Sequence, residues 1–149
     1  MSDSVDEPLG KCPTCADRPP LESLQDRDVE FRGCTACFGL FVEADSLGQY
    51  VCNAAGSEDA AKAYDDLLVT ALTKQGGPSK RVCPQCERPM RRLGFGEAPF
   101  MILERCEEGH GLWLDRKELK KVVRTSRAQA AVLGLILPPG GGEEEDDDD

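Results

Sequence analysis

Cys12-Pro13-Thr14-Cys15 and Cys83-Pro84-Gln85-Cys86 lie 71 positions apart in a chain of 149 residues, and 18 or 19 residues after each a second cluster begins, at Cys34 or Cys106. Downstream the echo continues at an offset of 72: Gly39-Leu40-Phe41-Val42-Glu43 lies over Gly111-Leu112-Trp113-Leu114-Asp115, and Leu47 over Leu119. Ligand candidates and packing residues recur in one order, which is the signature of an internal duplication.

The repeated cysteines are placed as metal ligands. A thiolate is a soft, charged donor suited to zinc, and a two-residue gap lets both sulfurs of one turn face a tetrahedral ion. Cys12, Cys15, Cys34 and Cys37 form two such pairs at the spacing of a four-cysteine ribbon or finger. Cys83, Cys86 and Cys106 supply three more thiolates. The position matching Cys37 is Gly109, followed by His110, the only histidine of the chain. The expected second site is therefore three cysteines and one histidine, with Gly109 and Gly111 letting the backbone bend to deliver the imidazole. Cys52 has no counterpart in the second repeat and is expected to be a small buried hydrophobe.

Composition explains why metal is needed. Apolar residues make up 40% of the chain and only eight residues are aromatic, against ~45–50% apolar in ordinary globular chains. Each half is about 40 residues, near the limit for independent folding, and two structural zinc ions would take the place of a large core.

Between the paired clusters, Leu24 to Arg32 and Met90 to Glu104 read as short β-hairpins, with Gly94 and Gly96 as turn signals. Ser57 caps an expected helix over 57–75, stopped by Gly76-Gly77-Pro78, with Ala60, Ala61, Tyr64, Leu67, Leu68, Ala71 and Leu72 on one face. A second helix is expected over 116–137. Asp115 and Glu118 form an acidic capping pattern there, and Leu119, Val122, Val123, Ser126, Ala130, Leu133 and Leu137 form a stripe. Its apolar end, Ala131 to Leu137, suits packing on a neighbour within the chain or in a dimer.

The expected fold class is thus small α+β: two tandem zinc ribbons, each followed by an amphipathic helix, and a disordered acidic tail. In segments, these are a flexible N-terminus over 1–10, ribbon one over 11–52, the helix 57–75 and a linker over 76–80. Ribbon two over 81–115, the helix 116–137 and the tail over 138–149 follow. The tail rests on Glu143 to Asp149, seven like charges after a Pro-Pro-Gly-Gly-Gly stretch.

The net charge of −10 is uneven: residues 1–77 carry −8, residues 78–142 carry +5, and the terminal run carries −7. No apolar run is long enough for a membrane span, and Met1 to Leu9 lacks the basic-then-apolar pattern of a secretory leader, so the chain reads as cytoplasmic. In that compartment close cysteines bind metal or do redox chemistry more often than they cross-link. A dithiol redox protein is the weaker reading, because it calls for a lone Cys-x-x-Cys in a βαβ setting. The chain has no Walker loop, no dinucleotide fingerprint and no His-Glu-x-x-His. With all four positions of each site filled and the one histidine engaged, an enzyme is not expected.

The second repeat, through Cys83-Pro84-Gln85-Cys86, Cys106 to His110, Gly111-Leu112-Trp113-Leu114-Asp115 and Glu118-Leu119, resembles the bacterial transcription-factor zinc-finger family, named for the zinc ribbon of transcription initiation factor IIB. The match covers about residues 81 to 121, and residues 11 to 48 look like a diverged copy with Phe41, Glu43 and Ser46 at the Trp, Asp and Glu positions. The resemblance implies a zinc-ribbon fold, structural zinc and a link to transcription.

Two partner classes follow. A protein-interaction adaptor, docking its ribbons, helices and tail on a larger machine, ranks first because the acidic first half suits a basic protein surface. The alternative is a nucleic-acid-binding regulator that uses Lys117, Lys120, Lys121, Arg124 and Arg127, with Lys80, Arg81, Arg88, Arg91 and Arg92 near the knuckle, modulated by the tail. Trp113 could stack on a base, but is expected to seal the ribbon core because Phe41 holds the equivalent place.

Overall fold

The computed structural model describes residues 10–74, 76–96 and 101–134. The segment 1–9, the acidic tail and Leu135 to Leu137 of the second helical stripe lie outside the described residues. The chain order is β1 (Glu22–Asp26), β2 (Val29–Gly33), β3 (Gly39–Val42), α1 (Ala44–Ala55), α2 (Glu58–Leu72), β4 (Pro78–Val82), β5 (Pro89–Phe95), β6 (Met101–Arg105), β7 (Leu112–Asp115) and α3 (Arg116–Val132).

Both expected hairpins form, β1 with β2 and β5 with β6. They do not stand as two separate units. All seven strands join one antiparallel sheet in the order β1-β2-β3-β7-β6-β5-β4, so the halves are fused through β3 and β7. At that seam Gly39 pairs with Asp115, Leu40 with Leu114, Phe41 with Trp113 and Val42 with Leu112. Phe41 and Trp113 are each other's repeat equivalents, so the register places a local two-fold axis at their pair. Two strands of like sequence pairing with one another are self-complementary in the way a C2 dimer interface is, here built within one chain.

Strand alternation sends successive side chains to opposite faces. Leu40, Val42, Leu112 and Leu114 join the core under the helices with Phe31, Leu93 and Leu103. Phe41 and Trp113 face the other way, into a second buried cluster with Leu21, Met90 and four of the cysteines. The central strands are covered on both sides, which is why all four residues of β3 are buried.

The helices follow their caps. Ser57 accepts from the Asp59 N–H and starts α2 at Glu58. Asp115 and Glu118 form the reciprocal capping box that starts α3. α1 lies inside the stretch read from sequence as ribbon one. Glu43 stands at its N-cap without a side-chain bond, and Gly48 sits mid-helix, so local signals are weak; packing of Leu47, Tyr50 and Val51 holds it instead. α1 is the repeat equivalent of the start of α3. The stretch 76–80, read as a linker, contributes Pro78 onward to edge strand β4, paired with β5. Its alternation is hidden by Pro78 and by charged residues that an edge strand tolerates. No helix among the described residues is long and apolar enough to cross a membrane.

Candidate metal centres

The eight expected ligands assemble into two groups, Cys12–Cys15–Cys34–Cys37 and Cys83–Cys86–Cys106–His110, the donor atoms of each lying within 4.8 Å of one another. Each group takes one pair from the turn before a hairpin and the other from the turn after it. An ion with ~2.3 Å metal–sulfur bonds sets tetrahedral sulfurs ~3.8 Å apart. The Sγ atoms of Cys12 and Cys37 are 3.6 Å apart, those of Cys15 and Cys34 3.8 Å, and those of Cys86 and Cys106 3.6 Å. His110 Nδ1 lies 3.8 Å from Cys83 Sγ and 3.4 Å from Cys106 Sγ. Each cluster has the size to hold one tetrahedral ion, with four donor atoms available to it.

The turns also carry charge-stabilising donors. The N–H groups of Thr14 and Cys15 point at Cys12 Sγ, and those of Ala36 and Cys37 at Cys34 Sγ. Gln85 and Glu108 donate likewise to Cys83 and Cys106. Burial works against the Cys34 thiolate, but the N–H groups of Cys37 and Ala36 overcome it and bring the thiol down to about 7. Cys106 reaches about 7 in the same way, through His110 and Glu108. Burial pushes Cys15 and Cys83 up to about 12, with neighbouring thiols adding to it.

Those two thiols hold their protons at neutral pH when no ion is bound, and an incoming metal must displace them. Apparent metal affinity at each centre should therefore fall by at least about tenfold for each unit of pH lowered from 8 to 6, since each centre releases at least one proton, and more steeply at the first, where burial also raises Cys37. Competition with a chromophoric chelator at several pH values measures this, and a flat profile would contradict the protonation of Cys15 and Cys83.

The delivery of His110 differs from its sequence rationale at one glycine. In the first repeat the left-handed residue follows the ligand, at Phe38 (φ 65), whereas in the second it is Gly109 (φ 85), one residue before His110. Advancing the turn by one residue brings the imidazole to the site. Gly111 has a different task. A Cβ there would lie 2.8 Å from the Val42 carbonyl oxygen and 2.9 Å from Phe41 Cζ. At the equivalent Gly39, a Cβ would lie 2.2 Å from Trp113 Cζ2. Each repeat thus leaves a bare backbone for the other repeat's aromatic ring.

The centres are also cross-braced. Trp113 Nε1 donates to Thr14 Oγ1 at 3.1 Å, joining the second repeat's strand to the first repeat's knuckle. Arg32 donates to Gln85 at 3.3 Å, and Gly10 sits against Pro84. Trp113 is 3% exposed, which makes it a core residue and removes it as a stacking platform. Sequence reading missed these bridges, although the equivalent glycines beside equivalent aromatics were visible in the repeat.

Cys52 lies on α1, half-buried and outside both groups. On α3, Lys117, Lys120, Lys121 and Arg124 are exposed and Arg127 is half-buried. Three of the four arginines by the second knuckle are otherwise engaged. Arg81 pairs with buried Glu104 at 2.9 Å, Arg88 with Glu108 at 2.9 Å, and Arg91 with Glu107. Glu104 also accepts from Ser79. In comparisons with known proteins, no family model, curated protein or solved structure matches this chain.

Proposed function

We propose that the protein is a non-enzymatic adaptor whose two metal centres hold structural zinc, forming a pair of ribbons related to the transcription-factor zinc-finger family that the second repeat resembles. One observation carries the reading: each centre draws four donors from its own half of the chain and is braced against the other repeat, so a bound metal is committed to holding its knuckles in place. A catalytic zinc would keep a position for water. The same closure disfavours dithiol redox chemistry, since all the paired cysteines are engaged.

A protein partner is favoured over nucleic acid because Glu104, Glu108 and Glu107 already pair with Arg81, Arg88 and Arg91, three of the knuckle cations that would reach phosphates. The exposed lysines of α3 support the nucleic-acid reading as second choice. Native mass spectrometry should find two zinc ions per chain. Affinity capture from the native host, followed by cross-linking, should recover a protein partner. Chains ending at Gly142 should show no DNA or RNA binding in 50 mM salt. Binding that weakens steeply toward 200 mM would replace the adaptor with a nucleic-acid binder.

A further inference from the structure

The outer edge of the second half is open along the end of β5. Arg92 directs both of its backbone groups away from β6: the carbonyl accepts from the Gly76 N–H at 2.8 Å, and the N–H donates to the Gly77 carbonyl at 3.3 Å. Antiparallel alternation turns the same two groups of Gly94 to that side, two residues on. Upstream of Gly76 the chain leads back into α2, so β4 no longer runs alongside, and no described residue bonds to them. A groove of about 320 Å³ lies there, between Gly94 and Ile102 on the sheet and Leu67, Ala71 and Lys74 at the end of α2, with Arg92 also lining it.

The first half guards the same place with polar side chains. The hairpin registers and the repeat offset carry Gly94 to Gln25 and Ile102 to Glu30, and Glu30 accepts from Ser23 at 3.0 Å. Side chains of that kind blunt an edge strand against pairing. The second half has instead a bare glycine and an isoleucine that is 49% exposed.

We propose that this edge takes up an extended segment of a partner protein as an added β-strand, apolar at its centre and acidic at its flanks. It deepens the adaptor reading above and rests on it. Backbone pairing with Gly94 supplies affinity, and period-two alternation sets the side chains. The residue opposite Gly94 faces Ile102, its partner in the register, and the neighbours on either side turn to the other face, against Leu67 and Ala71. The charge follows from Lys74 and Arg92, both exposed and without an ion pair among the described residues. The carboxylates nearby are turned elsewhere. Glu104, across from Arg92, is buried and held by Arg81 and Ser79. Asp65 lies beside Gly48 of α1, and Asp66 accepts from Gln129 of α3 at 3.4 Å.

The probe is the end-capped peptide Asp-Glu-Val-Ile-Val-Glu-Asp, titrated into the full, metal-loaded chain and followed by NMR. The expected result is saturable shifts of the Gly94 amide and of the Ile102 and Leu67 methyls, with amide exchange at Gly94 slowed at least tenfold. N-methylating the peptide one residue at a time should weaken binding at least tenfold at the residue paired with Gly94. The effect should be about twofold or less at its two neighbours, whose N–H groups point away. Lys74→Glu with Arg92→Glu should weaken binding about tenfold. Equal tolerance of N-methyl groups at every position, or shifts that spare Gly94, would overturn the proposal. So would Gly94 shifts in the free chain on deleting residues 135–149, which would make the tail the occupant, or on raising protein concentration alone, which would make it a second copy. Displacement of the peptide by an oligonucleotide would make the groove a phosphate site and overturn it too. If the host partner is captured equally by the double variant and no peptide binds, the adaptor stands and the added strand falls. If the peptide pairs with Gly94 and no host protein is captured, the edge stands and the adaptor falls.

Discussion

Removing the metal from the intact protein should abolish its cooperative thermal transition and the near-ultraviolet circular dichroism of Trp113. The cluster on that side of the sheet consists of four buried cysteines with only Leu21, Phe41, Met90 and Trp113 among them, too little apolar material to hold the knuckles once the ions are gone. Structural zinc binds finger peptides with an apparent ~10–16 kcal/mol, comparable to the ~5–15 kcal/mol stability of an entire domain. The braces between repeats make the loss mutual. Cys12→Ser, which empties only the first centre, should also raise amide exchange around Cys83 and Trp113, because Thr14 and Arg32 of the first half hold groups of the second. A chelated protein that keeps a sharp transition, or a Cys12→Ser protein with an undisturbed second half, would show that the helix-side core folds the chain without them.

The next largest effect is expected at the seam. Trp113→Ala should destabilise by about 3–5 kcal/mol, the range for truncating a large buried aromatic, since it removes the ring and its bond to Thr14. Gly39→Ala should cost about 1–3 kcal/mol, because its Cβ would overlap the indole at 2.2 Å and the ring has little room to retreat. The diagnostic quantity is their coupling. Gly39→Ala in the Trp113→Ala background should be nearly neutral, since the atoms it collides with are absent, giving an interaction term of about 1 kcal/mol or more. Denaturant melts followed by far-ultraviolet circular dichroism measure all four proteins. Additive losses would mean that the indole does not pack against the bare backbone of Gly39.

Much of this arrangement can be read locally. The Cys-x-x-Cys pairs are visible because ligand spacing within a turn is a property of a few consecutive residues, and the same holds for the Ser57 cap and the Asp115–Glu118 box. α1 is less visible, since Glu43 is a poor cap and Gly48 interrupts its run. The repeat does carry the signal: a helix after Asp115 implies one after Glu43. The role of Gly111 is hidden further, because its neighbour Phe41 lies 70 positions away in sequence.

The amino-acid order alone therefore determined the two similar four-donor sets and the two capped helices, all of which depend on short-range spacing. It left open whether the copies would stand apart as ribbons. That was decided by the pairing of β3 with β7, where the apolar residues of each strand meet those of the other copy, and where each glycine admits the other copy's ring. Burial on both faces of a central strand is a property of neighbours brought from far along the chain, so it appears only once the halves have joined.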